Sequence, residues 1–443
     1  MMRYEEYRAT GAEWVPAIPA SWDIQKIGAL FAQRKEKVSD KDFAPISVTK
    51  NGILPQLATA AKTDDGDNRK KVCVGDFVIN SRSDRKGSCG VSSLEGSVSL
   101  INIVLQPREQ LSGKYAHYLL RNHLFSEEYY RNGRGIVADL WTTRYSEMKT
   151  ILLPVPPRTE QDQIVRYLDW QVSKINRLIA AKRKQIELLK EQRNTLIDKV
   201  VRNGVKPDVC MRESGIEYIG AVPSHWTVLQ NRRLFKSMNR PFQGIPTVLS
   251  LSQKDGLIPY TEMTERSLHT SSYDNWQLVQ PNDLVLNRFK AHLGVFFASK
   301  YTGIVTFHYG VYEAKMPLVA KYYEALYHTP VYCRVYAGQS RGMTVGLQNL
   351  SDTNFYSTYT VYPPYEEQCE IVAEIDKIEE QHSMIVASIT GQIEKLQEYR
   401  TRLISDVVTG QVDVRGIEVP EYELVQDITE EQKEEPEEVM EDE

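Results

Sequence analysis

The chain has 443 residues, long enough for two or three domains with separate cores. Hydrophobic residues make up 41% and charged residues 26%, and no apolar stretch approaches the roughly 18 residues that a membrane span needs. The N-terminus lacks the apolar run of a signal peptide, so we expect a cytoplasmic protein. Residues 418–443 carry thirteen acids against one base, a net of −12, so the chain's net −5 leaves residues 1–417 at +7. The body of the chain is therefore basic, as in many nucleic-acid binders.

The cysteines and histidines show no metal-binding pattern. The five cysteines include no C-x-x-C pair, and the eight histidines form neither H-x-x-x-H nor H-E-x-x-H. An odd number of scattered cysteines suits reduced, buried thiols better than disulfides. We therefore expect neither a metal site nor a disulfide.

Residues 1–157 have the pattern of a mixed, mainly β domain, which we call head 1. Short β-branched runs such as DFVIN and SVSLINIVL predict strands, Asn51-Gly52 predicts a hairpin turn, and residues 113–130 have helical spacing. In YYRNGRGIV, glycine would let the backbone approach a DNA groove while an arginine contacts a phosphate or a guanine edge. A solvated arginine beside a turn glycine would give the same pattern. The candidate DNA contacts of head 1 are Lys50, Arg82, Arg85, Lys86, Arg131 and Arg134.

A long helix is predicted over residues 158–203. It starts after two prolines in PPRTEQ, and proline is suited to the first turn of a helix but disfavoured beyond it. Apolar residues then recur at spacings of three and four over several heptads, which indicates packing against another helix as in a coiled coil. The predicted seam consists of Leu168, Ile175, Ile179, Ile186, Leu189, Leu196 and Val200.

The sequence then repeats itself after a predicted linker over residues 204–214. GIEYIGAVPSHW (215–226) matches GAEWVPAIPASW (11–22) at an offset of 204, and the offset becomes 207 once NDLVLN (282–287) meets GDFVIN (75–80). The three-residue difference falls between about residues 56 and 74, as a surface loop would tolerate. Residues 215–364 are therefore predicted to form a second head, head 2, on the same framework. Its candidate DNA contacts are Lys254, Arg288, Lys290, His292, Gln339 and Arg341.

PPYEEQ starts a second long helix, predicted over residues 365–411, and residues 412–443 are predicted to be an acidic disordered tail. The two helices can pack along their seams as an antiparallel, coiled-coil-like spacer. The predicted fold class is α+β: two tandem, mixed, mainly β heads, each followed by a long helix, with pseudo-two-fold symmetry. Two basic heads in such a relation match the geometry of duplex DNA readers.

No catalytic motif is complete. YPPY (362–365) lacks the Asp or Asn that opens the [DN]-P-P-Y motif of amino-methyltransferases, and no Gly-rich cofactor turn follows a strand. The Pro-Asp of KPDVCMRESG is not followed by the acid-x-Lys that would complete a nuclease site, and no Walker sequence is present. We therefore expect no intrinsic catalysis and no cofactor bound by this chain.

In these features the chain resembles the specificity subunits of type I restriction-modification systems. The resemblance covers about residues 10–410 and rests on ESGIEYIGAVPSHW with its weaker partner GAEWVPAIPASW, on the two PP..EQ..I helix starts, and on the tandem order of head and helix. It implies that the heads are target-recognition domains that each read one part of a bipartite double-stranded DNA target. It also implies two methyltransferase (modification) subunits and restriction/translocase subunits as partners, with S-adenosylmethionine, ATP and Mg²⁺ used by those partners.

Two other functions fit parts of the sequence. An interaction scaffold could use the heads to bind proteins and the helices to space them. The net charge of +7 on residues 1–417 makes that function less attractive. A fused single-chain methyltransferase would have to bind S-adenosylmethionine itself, and the incomplete motif argues against it.

Overall fold

The computed structural model describes residues 3–57, 66–82, 85–135, 141–242, 247–252, 256–263, 273, 275–340 and 349–425. The chain forms two compact units. Unit 1 comprises Met1–Lys184 and Thr390–Glu443, and unit 2 comprises Gln185–Ile389. Each unit thus contains one head, the start of the long helix that follows it, and the end of the other long helix.

Head 1 is built around a four-stranded antiparallel sheet in the order β10-β9-β12-β4, with a three-stranded sheet, β11-β8-β5, and three strand pairs, β1-β2, β3-β13 and β6-β7. The strands are β1 (Tyr7–Ala9), β2 (Ala17–Pro19), β3 (Asp23–Lys26), β4 (Phe31–Gln33), β5 (Lys37–Val38), β6 (Ile46–Thr49), β7 (Gly52–Pro55), β8 (Arg69–Val72), β9 (Phe77–Asn80), β10 (Cys89–Val91), β11 (Gly96–Val98), β12 (Asn102–Pro107) and β13 (Leu152–Val155). The helices are α1 (Ile27–Leu30), α2 (Gly113–Leu120), α3 (His123–Arg131), α4 (Tyr145–Met148) and the long α5 (Arg158–Asn203).

Head 2 has the matching four-stranded sheet, β17-β24-β21-β22, and four strand pairs, β14-β15, β16-β25, β18-β19 and β20-β23. The strands are β14 (Met211–Glu213), β15 (Ala221–Pro223), β16 (Thr227–Gln230), β17 (Phe235–Ser237), β18 (Leu249–Ser252), β19 (Gly256–Pro259), β20 (Gln277–Val279), β21 (Leu284–Asn287), β22 (Phe296–Ala298), β23 (Gly303–Val305), β24 (Tyr309–Ala314) and β25 (Tyr359–Tyr362). The helices are α6 (Asn231–Leu234), α7 (Ala320–Tyr327), α8 (Pro330–Gln339), α9 (Asp352–Ser357) and the long α10 (Tyr365–Val408), with 3-10 turns at Tyr260–Glu262 and Arg288–Leu293.

The central sheet of each head is buried on both faces, which explains why its strands are continuous apolar runs. In β9, Val78 joins a buried cluster with Val98 and Val104, while the neighbouring Phe77 contacts the ring of Phe31. Successive side chains of a strand point to opposite faces, so both faces need apolar residues. In β21, the sequence LVLN divides in the same way: Val285 belongs to one buried cluster, and Leu284 and Leu286 belong to another.

The long helices α5 and α10 have 46 and 44 residues, about 69 and 66 Å at 1.5 Å per residue. Within unit 1 they run antiparallel: Arg400 donates to the Asn176 side chain at 2.7 Å, and Gln163, earlier in α5, reaches Val414 beyond the end of α10. Within unit 2, the end of α5 lies near the start of α10, where Lys206 pairs with Glu370 at 3.7 Å. The predicted fold class, with two long helices packed antiparallel, is confirmed.

The sequence repeat at the helix starts has a specific structural cause. In unit 1, the carboxylate of Glu160 accepts hydrogen bonds from Trp22 at 2.9 Å and Tyr4 at 2.5 Å. The next residue, Gln161, is fully buried, and its side chain accepts from the Ser112 N–H at 2.8 Å and donates to the carbonyls of Gln110 and Pro156. The Glu-Gln pair therefore fastens the first turn of α5 to the head that precedes it.

Unit 2 repeats most of these bonds. Glu367 accepts from Trp226 at 3.0 Å and lies 2.7 Å from His225, while Gln368 accepts from the Val319 N–H at 2.9 Å and donates to the Pro363 carbonyl. The helix that ends in each unit is held in a matching way. Tyr115 donates to the Val408 carbonyl in unit 1, and Tyr322 donates to the Val201 carbonyl in unit 2.

Four sequence expectations need correction. β14 lies inside the predicted linker 204–214, and it pairs with β15, so head 2 begins at Met211. The second long helix ends at Val408 instead of residue 411. Leu196 was predicted to lie in the seam but is 42% exposed, and Ile197 packs into the core of unit 2 instead. The five cysteines are free thiols as expected, but Cys210 and Cys369 are exposed instead of buried.

The predicted disordered tail is wrong for residues 412–425, which are ordered along α5. Val412 and Val414 are buried, and the Gln163 side-chain amide donates to the carbonyls of Val414 and Ile417. Farther along, the Asn176 amide donates to the Val425 carbonyl at 2.8 Å, and the Val425 N–H donates to the Ser173 hydroxyl. Two buried valines and these side-chain partners hold a segment whose acidic composition alone predicts disorder. Residues 426–443 lie outside the described part of the chain.

Candidate nucleic-acid interface

In each head, one basic loop and one turn meet at the same end of the central sheet. In head 1, the antiparallel register pairs Asn80, the last residue of β9, with Asn102, the first residue of β12. The loop that follows β9 (residues 81–88) and the turn that precedes β12 (residues 99–101) are therefore neighbours. Head 2 has the same register, since Asn287 of β21 pairs with Tyr309 of β24. We call these two places edge 1 (residues 81–82, 85–88 and 99–101) and edge 2 (residues 288–295 and 306–308).

Matched asparagines shape the start of both loops. The Asn80 side chain accepts from the Arg82 N–H at 3.0 Å, and the Asn287 side chain accepts from the Phe289 N–H at 3.1 Å. Asparagine favours such turns because its short side chain can replace a backbone acceptor two residues away. The same local chemistry therefore ends both strands and projects both loops.

At edge 1, a backbone bridge brings together two arginines that lie far apart in the sequence. Thr142 is bridged to both Arg82 and Arg134, and the Thr143 N–H donates to the Ser81 carbonyl. Arg82 and Arg134 therefore flank one residue on neighbouring extended segments, where opposite side chains share a face. Two candidate contacts that the sequence predicted separately thus belong to one basic surface.

The arginines and the lysine of this region differ in how far they are engaged within head 1. Arg134 is 84% exposed and forms a pair with Glu147 at 3.9 Å. Arg131 is paired with both Glu13 and Glu128. Lys86 pairs with Glu127 at 2.7 Å and lies over the Tyr130 ring, 4.8 Å from its centroid. Of these, Arg134 is the most available for an external anion.

Hydrogen bonds and cations lower the pKa of two carboxylates in this region. The hydrogen bond from Lys86 lowers the pKa of Glu127, and the Ser146 hydroxyl, with a smaller contribution from Arg134, lowers the pKa of Glu147. Both acids are therefore ionised near neutral pH. Exposed pairs of this kind are weak, so they can exchange a carboxylate for a phosphate at little cost.

Edge 2 carries different side chains on the same framework. The Leu350 N–H donates to the Arg288 carbonyl, which corresponds by the 207 offset to the Thr143–Ser81 bond of head 1. Arg288 pairs with Asp352 at 2.7 Å, and Lys290 is exposed. The Nδ1 atom of His292 is buried and has no hydrogen-bond partner among the described residues. Edge 2 therefore keeps one arginine in an internal ion pair and presents Lys290 outward.

The five remaining candidate contacts differ in where they lie. Lys50 is exposed in the β6–β7 turn, where its carbonyl accepts from Arg121, and Arg85 lies exposed within the loop of edge 1. The Gln339 side chain accepts from the Thr358 hydroxyl at 2.7 Å and is thereby used inside head 2. Lys254 and Arg341 lie outside the described residues.

Comparison with known proteins gives this architecture a context. No family model matches the chain. A protein described as the putative type I restriction enzyme MjaX specificity subunit of Methanocaldococcus jannaschii is 22% identical over 276 residues, and the match covers 55% of this chain and 62% of that protein. The chain is therefore similar to a type I restriction-enzyme specificity subunit over about half of its length. Since the match spans less than two thirds of that relative, the whole protein's activity does not transfer with it.

Two solved structures align with this chain over most of its length. One, described as the structural basis of complex assembly and conformational transition of the type I R-M system, has a TM-score of 0.62 at 14% identity and covers 89% of this chain and 99% of its own. The other, the HsdS subunit from Thermoanaerobacter tengcongensis, has a TM-score of 0.48 at 15% identity, with coverage of 89% and 98%. The first likeness shows a shared fold.

Sequence reasoning missed the turn residues of both edges. Leu100 and Ile101 at edge 1, and Phe307 and His308 at edge 2, are exposed and occupy corresponding positions at the 207 offset. The available signal was an apolar residue at the same point of both repeats, Leu100 and Phe307, two residues after the strand runs SV and IV. It was masked because each of these residues reads as the continuation of an apolar strand.

Other kinds of site find less support. Among the described residues, no group of three His, Cys, Asp or Glu side chains could hold a metal ion, and no helix there is both long and apolar enough to cross a membrane. A groove of about 650 Å³ in unit 1 lies between the start of α3 and residues 394–406 of α10. Its lining includes Glu394, Glu398 and Asp406, which disfavours a nucleic-acid ligand there.

Proposed function

We propose that the chain is the DNA-recognition subunit of a type I restriction-modification complex and reads a bipartite, asymmetric double-stranded target. The observation that carries the proposal is the pair of matched edges. Both heads project a basic loop from the same end of the same sheet, but the side chains on the two loops differ. Equal frameworks with unequal loops suit two half-sites of unequal sequence.

Charge supports duplex DNA as the ligand. Residues 1–417 carry a net charge of +7, and Arg82 and Arg134 share one exposed surface. Lysine and arginine contacts to phosphates supply most non-specific affinity, and bidentate arginine contacts to guanine supply specificity. A surface that combines exposed arginines with polar turns can do both.

The proposal leaves chemistry to the partners. Two methyltransferase subunits and restriction/translocase subunits would use S-adenosylmethionine, ATP and Mg²⁺, and this chain would supply sequence choice and the spacing between half-sites through α5 and α10. The complex would act in the cytoplasm, where the cell's DNA is.

The experiment is methylation mapping followed by binding. Adenine methylation in the host genome, compared with and without this gene, should reveal one bipartite motif. A duplex with that motif should then bind the complex of this chain with its methyltransferase subunits, more weakly as salt rises. Absence of any gene-dependent motif, together with absence of duplex binding, would refute the proposal.

Arg134 and Lys114 make a matched pair of variants for that assay. Lys114 is an exposed cation at the start of α2, which follows β12 at the end of the sheet opposite to edge 1. Arg134→Ala should weaken binding about tenfold, and if it removes one phosphate contact the slope of log affinity against log salt should fall by about 0.9. Lys114→Ala should change neither. Equal DNA affinity of the two variants, or binding that does not depend on salt, would favour the alternative function as a protein-interaction scaffold.

A further inference from the structure

Both edges expose apolar side chains beside their basic loops. At edge 1, Leu100 and Ile101 are 39% and 37% exposed, and at edge 2, Phe307 is 56% exposed. Isolated exposed apolar residues are common on protein surfaces. Here, however, the positions coincide in two copies of one framework whose sequences have otherwise diverged. The recurrence points to a role in these turns that the cores of the heads do not require.

The turn of edge 2 is attached to its basic loop. The Tyr309 N–H donates to the Thr306 carbonyl and closes the turn, so Phe307 and His308 occupy its tip. The ring centroids of Phe307 and His308 are 3.9 Å apart, and the His308 ring contacts Phe289 of the loop at 5.8 Å. Phe307 is therefore held at a defined place beside the loop that carries Lys290.

We propose that Phe307 at edge 2, and Leu100 with Ile101 at edge 1, contact DNA bases through their apolar surfaces, by insertion at a base-pair step or by stacking. This inference rests on the proposed function and deepens it. Cations of the loop would hold the phosphates, and the adjoining turn would then face the groove, where water leaves both the apolar side chain and the base. Architectural DNA-binding proteins use phenylalanine, leucine and isoleucine as wedges of this kind, and aromatic side chains also stack on exposed bases.

The two edges are expected to differ in strength. An aromatic ring can cover the face of a base, whereas leucine and isoleucine can only fill a step that has opened. Edge 2 presents a phenylalanine supported by a histidine ring, and edge 1 presents two aliphatic residues. The distortion of DNA should therefore be larger in the half-site that head 2 reads.

A protein partner for the same turns predicts a different response. A protein that covered the apolar turn residues would also bury the cations of the neighbouring basic loop. Burying these cations is unfavourable unless acidic side chains of the partner pair with them. Duplex DNA meets these cations with phosphates along its whole length. We therefore commit to a base-pair step as the ligand of these turns, and loss of partner binding without loss of DNA binding would contradict it.

The test uses the complex of this chain with its methyltransferase subunits and a duplex with the mapped target. 2-Aminopurine, whose fluorescence rises on unstacking, is placed at successive positions in each half-site. Wild type should raise the fluorescence at one step, and Phe307→Ala should remove that signal and weaken binding about tenfold without changing the salt slope. Phe307→Trp should retain both. Tyr365→Ala removes another exposed aromatic residue, 49% exposed at the first position of α10, and should change neither.

The outcomes separate this inference from the proposed function. Failure of the wild-type complex to bind any duplex would defeat the proposed function. Tight wild-type binding with no fluorescence signal at any step, and with Phe307→Ala indistinguishable from Tyr365→Ala, would overturn only the inference. A parallel Leu100→Ala, Ile101→Ala double variant should lose affinity by a smaller factor, and a larger loss than that of Phe307→Ala would contradict the expected order of the two edges.

Discussion

The two glutamines that fasten the long helices to their heads predict unequal losses of stability. Gln161→Ala removes three hydrogen bonds, those to the Ser112 N–H and to the Gln110 and Pro156 carbonyls, and Gln368→Ala removes two. Both side chains are fully buried, so the abandoned groups are left without water. At about 1 kcal/mol per bond, unit 1 should lose about 3 kcal/mol and unit 2 about 2 kcal/mol.

Thermal unfolding measures the size of these losses, and amide hydrogen exchange measures their place. For units of this size, each kcal/mol lowers the melting temperature by about 2–4 °C, so Gln161→Ala should lower the unit 1 transition by about 6–12 °C. The Ser112 amide, which donates directly to Gln161, should lose protection in that variant, and the Val319 amide should lose it in Gln368→Ala.

Asp162→Ala is the matched control for Gln161→Ala. Asp162 lies in the same turn of α5, and its side chain is largely exposed. It forms a 3.6 Å ion pair with Arg158. Removing the Asp162 side chain should change the free energy of unfolding by less than about 0.5 kcal/mol. Gln161→Ala could instead melt at the same temperature as Asp162→Ala, with the Ser112 amide still protected from exchange. The glutamine would then not fasten the helix, and the explanation of the repeated PP..EQ motif would be wrong.

Two further predictions concern groups away from the edges. Burial raises the pKa of Glu324 to about 7. The folded state therefore keeps a proton that the unfolded state releases above about pH 4.5. This group alone should lower the free energy of unfolding of unit 2 by about 3 kcal/mol between pH 4.5 and pH 8. Glu324→Gln should show a flatter dependence of melting temperature on pH, and an unchanged dependence would contradict this. Gln163→Ala should release the ordered segment 412–425, seen as faster exchange of the Val425 amide, because Gln163 donates to two of its carbonyls. Unchanged exchange there would show that the two buried valines suffice.

The long helices were predictable because their signal is repeated over many turns. The predicted ranges 158–203 and 365–411 compare with the observed Arg158–Asn203 and Tyr365–Val408. The prediction of the apolar seam was less accurate near the end of α5, where Ile197 and Val201 pack into the core in place of Leu196. A straight α-helix drifts by about 20° per heptad, so a seam counted in steps of three and four moves off the buried face after several turns.

The candidate site was only partly predictable, since a sequence shows which residue types are present but not which ones the fold already uses. Arg82 and Arg134 were both named, yet their proximity depends on Thr142, a residue that carries no chemical signal of its own. Gln339 was named as a possible contact, and the structure engages its side chain with Thr358. The ordering of residues 412–425 was missed because partners on another helix decide it, not the composition of the segment.

The distribution of similarity between the two repeats is itself an argument about function. The central contact that joins head to helix recurs in both repeats: Trp22 with Glu160 and Trp226 with Glu367. The loops do not recur, since a serine and an arginine at positions 81 and 82 correspond to Arg288 and Phe289. If the loops only closed the sheet, the pressure that kept the framework bonds would have kept them similar as well. Head-to-helix contacts that recur beside edge loops that differ are what two heads would show if they share one way of being held and differ in what they read.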